Sequence, residues 1–293
     1  MAPAESLKFE PKKILCAVDL TPASAEVLKW ASLFVEAYEA KLDVVHADYV
    51  DYPPYLLPTQ AEQLSAESQT RQAELNRHLA ALVQDAIGAL PAAELTILDG
   101  RPAEALLRRT ASNSPDLIVI GSHGHGGFSR LRLGSVAEHV IRTSSTPTLV
   151  ARTRAARQIP KIEHVLCPVN FDPEGRRSLQ VAAGVAQAFR AQLTVVHAVD
   201  EPHLDAEAKH RELCQWVPEE IRKQCALVEA VRHGNPAEQI LLAAREQSAD
   251  LIVLGAARRP FLDLAILGAT AERVLRHAES ALLVLPSKVE AAT

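Results

Sequence analysis

Apolar residues occur along the chain in short continuous runs that alternate with longer stretches of helical period. A continuous apolar run, as opposed to an alternating one, is typical of a parallel strand buried on both faces. The strands predicted in the first half are about Lys13–Val18, Leu42–His46, Leu95–Leu98, Leu117–Ile120 and Thr148–Ala151. The stretches between them predict helices, so the pattern is that of an α/β protein.

The same plan occurs twice along the chain. Four pairs of segments match: Ile14–Asp19 with Val165–Asn170, Val44–Ala47 with Val195–Ala198, Gly100–Glu104 with Gly234–Glu238, and Asp116–Gly121 with Asp250–Gly255. The first two pairs are 151 residues apart and the last two are 134 apart, so the first copy holds 17 additional residues between His46 and Gly100. An internal repeat of this kind indicates a duplicated domain.

The length of 293 residues suits two domains. We predict tandem α/β domains over residues 1–156 and 157–293, each a doubly wound five-stranded parallel sheet flanked by helices. The polar segment from Arg152 to Lys161, which ends near Pro160, favours a junction near residue 157. In such a sheet, ligands bind beyond the carboxyl ends of the strands, where the strand order reverses.

Prolines mark the predicted starts of several helices. Thr21 is a suitable cap for a helix with Pro22 at its first position, and Asp172-Pro173 repeats this arrangement. Pro102 and Pro236 open helices after the repeated glycines in the same way.

Composition restricts the classes of partner. Hydrophobic residues make up 48% and charged residues 23%, which indicates a folded globular chain. The net charge of -5 and pI of about 6.1 predict neither a nucleic-acid groove nor an anionic-membrane surface. No apolar run reaches the roughly 18 to 20 residues that span a bilayer, and the charged start lacks a signal-peptide core, so a cytoplasmic location is expected. Four cysteines without a CxxC pair suit a reducing compartment.

Glycines cluster after the fourth predicted strand. Five of the chain's 12 glycines lie in the segment from Gly121 to Ser135. Glycine permits positive φ and lets a ligand approach the main chain, and successive backbone N–H groups form anion-binding nests. Gly134-Ser135 then opens a helix, whose N-terminus favours a phosphate. We interpret the segment as a phosphate-binding loop, the alternative being a flexible turn.

The spacing of Gly121, Gly124, Gly134 and Ser135 resembles the G-x2-G-x9-G-[ST] motif of nucleotide-binding universal stress proteins. The resemblance covers nearly the whole chain as two tandem copies. It implies a five-stranded parallel sheet of the Rossmann-like, adenine nucleotide α-hydrolase-like class, and ATP, with or without Mg²⁺, as cofactor. In this family the fifth strands often pair between subunits, and here that pairing would be internal.

The resemblance also implies roles for individual residues. Asp19 would lie beside the adenosine moiety and the backbone of Ala47 at the adenine edge. Gly121, Gly124, Gly134 and Ser135 would hold ribose and phosphates, and the implied cofactor-binding set is completed by Ala17, Ile120 and Val136. A carboxylate at a strand end can accept hydrogen bonds from amine or hydroxyl groups. The alternative for Asp19 is a cap of the following helix.

The second copy departs from the motif. Gly124 is replaced by Arg258, Gly134-Ser135 by Gly268-Ala269 and Asp19 by Asn170, and Pro260 removes a backbone donor. We therefore predict that this half binds ATP poorly or not at all. The alternative is that Arg258 and Arg259 bind phosphate themselves.

Other residues have simpler expected roles. His123 and His125 lack a third metal ligand within reach and are expected to face solvent, so no metal site is predicted. His46 and His197 are expected in the core or behind the ligand, and Cys16 and Cys167 as buried, inert thiols. Arg130 and Arg132 would face either phosphate or solvent. The insertion within residues 48–90 combines Tyr and Pro residues with a polar helical stretch over Ala61–Gln84, and suits a lid, a partner contact or a plain surface excursion.

Three functions remain. The first is a regulatory module in which nucleotide binding changes shape or affinity for a partner protein, with an internal pseudo-dimer that could also form a homodimer. The second is a weak ATPase or phosphoryl transferase, which needs a base or a positioned water and usually a metal-binding carboxylate. Apart from His123 and His125, neither is evident around Gly121–Ser135. The third is a scaffold that binds no nucleotide. We predict the first, without catalytic residues.

Overall fold

The computed structural model describes residues 9–50, 58–88, 93–122, 133–152, 160–200, 205–256 and 267–286. The first half contains β1 (Lys13–Ala17), α1 (Ser24–Tyr38), β2 (Lys41–Asp48), α2 (Pro58–Ile87), β3 (Ala93–Asp99), α3 (Pro102–Asn113), β4 (Leu117–Gly121), α4 (Ser135–Thr143) and β5 (Thr148–Ala151). The second half contains β6 (His164–Pro168), α5 (Pro173–Phe189), β7 (Gln192–Val199), α6 (Ala206–Trp216), α7 (Glu219–Gln224), β8 (Ala226–His233), α8 (Pro236–Glu246), β9 (Leu251–Ala256), α9 (Ala269–His277) and β10 (Ala281–Pro286). The predicted junction near residue 157 lies outside the described residues.

The strands form one sheet in the order β3-β2-β1-β4-β5-β10-β9-β6-β7-β8. Within each half the strands are parallel, and the two halves meet through the antiparallel pair β5–β10. The predicted α/β class, the five parallel strands in each half and the internal pairing of the fifth strands are confirmed. Because this pairing is antiparallel, the strands of the two halves end at opposite edges. We call the edge where β1–β5 end the first carboxyl edge, and that where β6–β10 end the second.

Helices cover both faces of the sheet. The helices α1, α2, α5, α6 and α7 contribute to the hydrophobic cluster on one face, and α3, α4, α8 and α9 to that on the other. Each cluster contains residues of both halves, so the halves share a continuous core. On the second face Arg142 of α4 lies 2.9 Å from Glu138 and 3.9 Å from Glu272 of α9, so a side-chain contact links the two helices across the junction.

Helix starts follow the prolines with one exception. Pro173, Pro102 and Pro236 stand at the beginning of α5, α3 and α8, as predicted. The first helix begins at Ser24, so the prediction that Pro22 opens it is wrong. Residue Leu20 adopts φ 60°, and the chain makes a turn in which the Ser24 amide donates to the Thr21 carbonyl before the helix begins.

An aspartate clamps the first strand of each half. Asp116 Oδ2 accepts hydrogen bonds of 2.9 Å from the backbone amides of Lys12 and Lys13. Asp250 Oδ2 does the same for the amides of residues 163 and 164, at 2.9 and 3.1 Å. Asp116 lies just before β4 and fixes the start of the neighbouring strand β1. In the same way Asp250 lies just before β9 and fixes the start of β6.

A buried carboxylate differs between the halves. Asp43 in β2 accepts from Arg109 Nε at 2.8 Å and from Asn113 Nδ2 at 2.9 Å. The repeat-equivalent residue is Thr194, whose hydroxyl contacts His164 Nε2 at 2.8 Å. At this position the first half therefore has an ion pair between Arg109 and Asp43, and the second half has a hydrogen bond between the Thr194 hydroxyl and the His164 imidazole.

The insertion in the first half forms helix. The predicted helical stretch Ala61–Gln84 lies within α2, which has 30 residues and takes the place of the shorter α6 and α7. The tyrosines and prolines of residues 51–57 lie outside the described residues. Among the helices of the described chain, none is both long and apolar enough for a membrane span.

Candidate functional site

The switch point of the first half lies between β1 and β4. The order β3-β2-β1-β4-β5 continues from β1 in both directions, so the connections on either side of β1 lead away from each other. A crevice beyond the strand ends at such a point is where doubly wound folds bind ligands. Of the predicted residues, Asp19 follows β1 and Gly121 ends β4. Ala47 is the penultimate residue of β2 and Ser135 begins α4, so all four lie at the first carboxyl edge.

Asp19 organises the turn between β1 and α1. Its Oδ1 accepts from the Thr21 amide at 3.1 Å, the Thr21 hydroxyl at 2.6 Å and the Ser24 hydroxyl at 2.7 Å. The N-cap position of α1 is Ala23, so Asp19 is not the helix cap. Leu20, which is not a glycine, adopts positive φ in this turn. The hydrogen bonds accepted by Asp19 hold the turn in this uncommon conformation.

The ends of β1 and β2 are tied together by a histidine. His46 Nδ1 lies 2.9 Å from the carbonyl oxygen of Val18, and because a carbonyl can only accept, Nδ1 carries the proton. Ala47 follows His46 and is half-buried, with its backbone in register with Leu98 of β3. The same bond recurs in the second half, where His197 Nδ1 lies 2.9 Å from the Val169 oxygen. Both histidines position strand ends, which fits the predicted supporting role.

Ala17 and Ile120 are register partners across β1 and β4. Both are buried, and both belong to the hydrophobic cluster beneath α4. They therefore lie beneath the first carboxyl edge, with their side chains packed in the core.

The predicted phosphate loop is closed by two backbone hydrogen bonds. The Ser122 amide donates to the Ala151 oxygen of β5 at 3.0 Å, and the Gly134 amide donates to the Ser122 oxygen at 2.7 Å. This second bond joins the end of β4 to the start of α4. Ser135 and Val136 are the first two residues of α4, whose first-turn N–H groups have no carbonyl partner within the helix. Gly124, together with His123, His125, Arg130 and Arg132, lies outside the described residues.

The glycines at the two ends of this loop are not required by backbone conformation. Gly134 has φ -69° and ψ 150°, which any residue adopts. Among the described glycines, positive φ occurs at Gly88, Gly100 and Gly234, and not at Gly121. Positive φ is therefore the wrong explanation for Gly121 and Gly134. The other expected reason, that the missing side chain lets a ligand approach the main chain, stays a prediction.

Two residues near the predicted adenine edge were missed by sequence reasoning. Tyr49 is 44% exposed and follows Ala47 by two positions. The Arg101 guanidinium lies over its ring, 5.4 Å from the centroid. The ends of β2 and β3 thus carry an exposed ring and a cation beside the first carboxyl edge. Only the position of Tyr49 just beyond a strand could have indicated this.

The second carboxyl edge is built differently. Pro168 ends β6 and has no N–H to donate. The pairing of β6 with β9 covers two register pairs, whereas the equivalent pairing of β1 with β4 covers four. A Cβ atom at Gly175, the equivalent of Ser24, would lie 2.1 Å from the Asn170 carbonyl oxygen. A serine therefore does not fit where the first half has one.

Aromatic rings cover the end of β7. Phe171 follows Asn170 and stacks on His197 with ring centroids 4.3 Å apart. Trp216 of α6 lies 5.6 Å from Phe171, with the Arg176 guanidinium 4.2 Å from the Trp216 centroid. The second half thus places its own aromatic rings beside His197. The equivalent histidine of the first half, His46, stands behind the predicted adenine edge. Arg258, Arg259 and Pro260 lie outside the described residues.

Thiols and metal ligands add no further chemistry to the described part of the chain. All four cysteines are free, and burial raises the pKa of Cys16 and Cys167, so these thiols stay protonated. Within the described ranges there is no group of three or more His, Cys, Asp or Glu side chains that could hold a metal ion.

Together these features define a class: a tandem doubly wound α/β protein with a switch point at the carboxyl edge of each half. A comparison with known families matches residues 10–152 and 161–286 to the universal stress protein family. The chain belongs to this family.

Individual relatives agree with this assignment. A universal stress protein of Thermus aquaticus is 33% identical over 141 residues, covering 48% of this chain and 98% of the relative. One of Mycobacterium tuberculosis is 34% identical over 141 residues, covering 47% of this chain and 45% of the relative, so the match spans less than half of that protein. The crystal structure of a universal stress protein from Archaeoglobus fulgidus covers 95% of this chain and 97% of its own, with a TM-score of 0.67 and 21% identity. That likeness shows the tandem fold.

Proposed function

We propose that the first domain binds ATP or a related adenine nucleotide at the first carboxyl edge, and that occupancy regulates the affinity of the protein for a partner protein. The observation that carries the proposal is the bond from the Gly134 amide to the Ser122 oxygen. It brings the two ends of the glycine motif and the N-terminus of α4 to the switch point, where a phosphate is favoured.

The roles of the residues follow from their chemistry. The first-turn amides of α4 and the Ser135 hydroxyl would donate to phosphate oxygens, with Gly121, Gly124 and Gly134 leaving room for them. Asp19 would accept from the ribose or the adenine amine, since its negative charge suits that end of the ligand and not the phosphates. Backbone groups of Ala47 would meet the adenine edge.

The second domain serves, in this proposal, as a structural partner without nucleotide. Its support is the stack of Phe171 on His197 and the close approach of Asn170 to Gly175. We place the domains at residues 1–156 and 157–293. The β5–β10 pair makes them an internal pseudo-dimer, and two chains could associate further as a homodimer.

We further propose binding without turnover. Phosphoryl transfer needs a base or positioned water and usually a carboxylate that holds Mg²⁺ beside the γ-phosphate. Asp19, the carboxylate that follows β1, is engaged by Thr21 and Ser24. Mg²⁺ would then accompany the phosphates of ATP without a dedicated protein ligand. The net charge of -5 argues for no nucleic-acid or membrane partner, and the four free cysteines suit a cytoplasmic location.

The test is the nucleotide content of the purified protein. The protein is denatured, the supernatant is separated by ion-exchange chromatography, and emptied protein is titrated with ATP by calorimetry. About one ATP per chain supports the proposal. ADP in place of added ATP would indicate slow hydrolysis and overturn binding without turnover. If the protein neither retains nor takes up nucleotide, it is a scaffold and the proposal is wrong.

A further inference from the structure

An arginine is buried at the junction of the two domains. Arg152 is the first residue after β5 and is 6% exposed. Its Nη2 donates to the carbonyl oxygen of Leu275, in the last turn of α9. Within the described ranges its Nε and Nη1 are buried and have no hydrogen-bond partner.

This environment is unfavourable for a cation. A buried charge is normally paired with an opposite charge, and Arg152 forms no ion pair among the described residues. Burial lowers its pKa to about 10. The negative end of the α9 dipole offsets part of the cost, but a single neutral carbonyl leaves the guanidinium mostly unsatisfied. An anionic ligand would satisfy the two remaining groups.

The register of the sheet places Arg152 beside the predicted phosphate end of the crevice. Ala151 pairs with Gly121, and the Ser122 amide donates to the Ala151 oxygen, so Arg152 stands next to the start of the glycine loop. Side chains alternate along a strand, which puts Arg152 on the face of Val150. That face carries α4 and α9. Arg152 therefore lies at the edge from which α4 begins and on the side of the sheet that α4 covers.

We propose that Arg152 binds the phosphate groups of the nucleotide in the first domain and links them to the C-terminus of α9 in the second. This inference rests on the proposed nucleotide site and adds to it a cation that the glycine motif does not contain. The guanidinium pairs with phosphate through its fork of donors while keeping its bond to Leu275. Affinity for phosphorylated nucleotides then depends on how α9 is docked, and affinity for adenosine does not.

The second domain supplies a matched control. Arg177 in α5 donates Nη1 to the carbonyl oxygen of Pro286, and its Nε is also buried without a hydrogen-bond partner among the described residues. It contacts the end of β10, at the second carboxyl edge. Both arginines donate to a backbone carbonyl and bury an Nε, but Arg177 is only partly buried and stands at the opposite edge, so replacing it should leave binding in the first domain unchanged.

The experiment measures the affinities of ATP and adenosine by calorimetry for the wild-type chain, Arg152→Met, Arg152→Lys and Arg177→Met. We expect Arg152→Met to lower the affinity for ATP by at least about tenfold, which corresponds to the lower limit for losing a hydrogen bond to a charged group. The affinity for adenosine should stay within about twofold of the wild-type value. Arg152→Lys keeps the charge but loses the fork, so an intermediate loss of ATP affinity is expected. Arg177→Met should bind both ligands as the wild type does.

Unfolding in urea separates binding from stability. Methionine replaces a poorly paired buried charge by an apolar chain of similar length, so the Arg152→Met midpoint should stay the same or rise. Equal losses of ATP and adenosine affinity would show a merely structural role and overturn the inference. Unchanged ATP affinity would overturn it while leaving the proposed function intact. A wild-type chain that binds neither ligand would overturn both. If Arg152→Met does not fold, Arg152→Lys decides: ATP affinity equal to wild type refutes phosphate binding.

Discussion

The glycines that cap α4 and α9 offer a test of where nucleotide binds. Gly134 and Gly268 are both N-cap residues, with φ and ψ of -69° and 150° in the first case and -58° and 146° in the second. Any residue adopts these angles, and a Cβ atom at Gly268 would meet no atom within 4 Å. Leucine is a poorer N-cap than glycine, so Gly134→Leu and Gly268→Leu should each lower the free energy of unfolding by only about 0.5–1 kcal/mol.

The effects on binding should differ between these two variants. At Gly134 a leucine side chain stands where Ser122 and the first turn of α4 meet, and it would displace a phosphate from at least one amide. A hydrogen bond to a charged group contributes about 1.5–3 kcal/mol, which corresponds to a loss of about 10- to 100-fold in ATP affinity. At Gly268 no loss is expected, because the second domain is proposed to hold no nucleotide.

Calorimetric titration with ATP and unfolding in urea are measured on both variants and the wild-type chain. Similar midpoints in urea show that the two substitutions are matched in stability. A lower affinity for Gly134→Leu alone supports the asymmetric site. Equal losses from the two substitutions, or wild-type affinity in Gly134→Leu, would refute the reasoning.

Three further outcomes concern stability and reactivity. Asp116→Ala and Asp250→Ala each remove two hydrogen bonds to a partly exposed carboxylate and should each lower the free energy of unfolding in urea by about 1–2 kcal/mol; a loss at one position only would contradict the clamp. Arg109→Met leaves a buried carboxylate with one donor fewer and should cost about 2–3 kcal/mol in the same assay, and an unchanged midpoint would show that the ion pair contributes nothing. Cys16 and Cys167 should react with a thiol reagent at pH 8 only after unfolding, because burial raises the pKa of both; rapid modification of the native protein would contradict this.

Local sequence patterns were sufficient for the strands and for most helix starts. The strands are found close to their predicted limits because a parallel strand buried on both faces leaves a continuous apolar run. The start of α1 was mispredicted because the side chain of Asp19, five residues before Ser24, holds a turn that continues through Pro22. A proline in a turn and a proline at a helix start have the same appearance in sequence.

The first carboxyl edge was predictable in outline because its residues follow strands that repeat. The repeated Asp116 and Asp250 were visible as matching positions, yet their clamping role depends on the neighbouring strand, which the sequence does not order. Arg152 could not be predicted as a buried cation either. Its burial requires α9 to end against β5, and the residues that meet there are 123 positions apart.

The two halves diverged in ways that act together. In the first half the Asp19 carboxylate, the Ser24 hydroxyl and Leu20 at positive φ keep the turn after β1 in a polar, defined shape. In the second half Phe171 stacks on His197, and Gly175 lets the Asn170 carbonyl approach the helix. Phe171 occupies the space beside His197 at the end of β7, so a second aromatic ring such as adenine cannot stack there. Replacement of the Asp19 carboxylate by Asn170 alone would not exclude such a ring.

The second half nevertheless retains the parts that the first half needs. Pairing of β10 with β5 removes an exposed strand edge from the first domain, and on both faces of the sheet the two halves share a hydrophobic core. The end of α9 supplies the carbonyl that holds Arg152. In the proposed function the second domain holds no nucleotide, yet through β10 and α9 it would still shape the proposed site of the first. In the proposed function, nucleotide binding in the first domain would then be felt in the second through Arg152, which gives a route from occupancy to a partner surface.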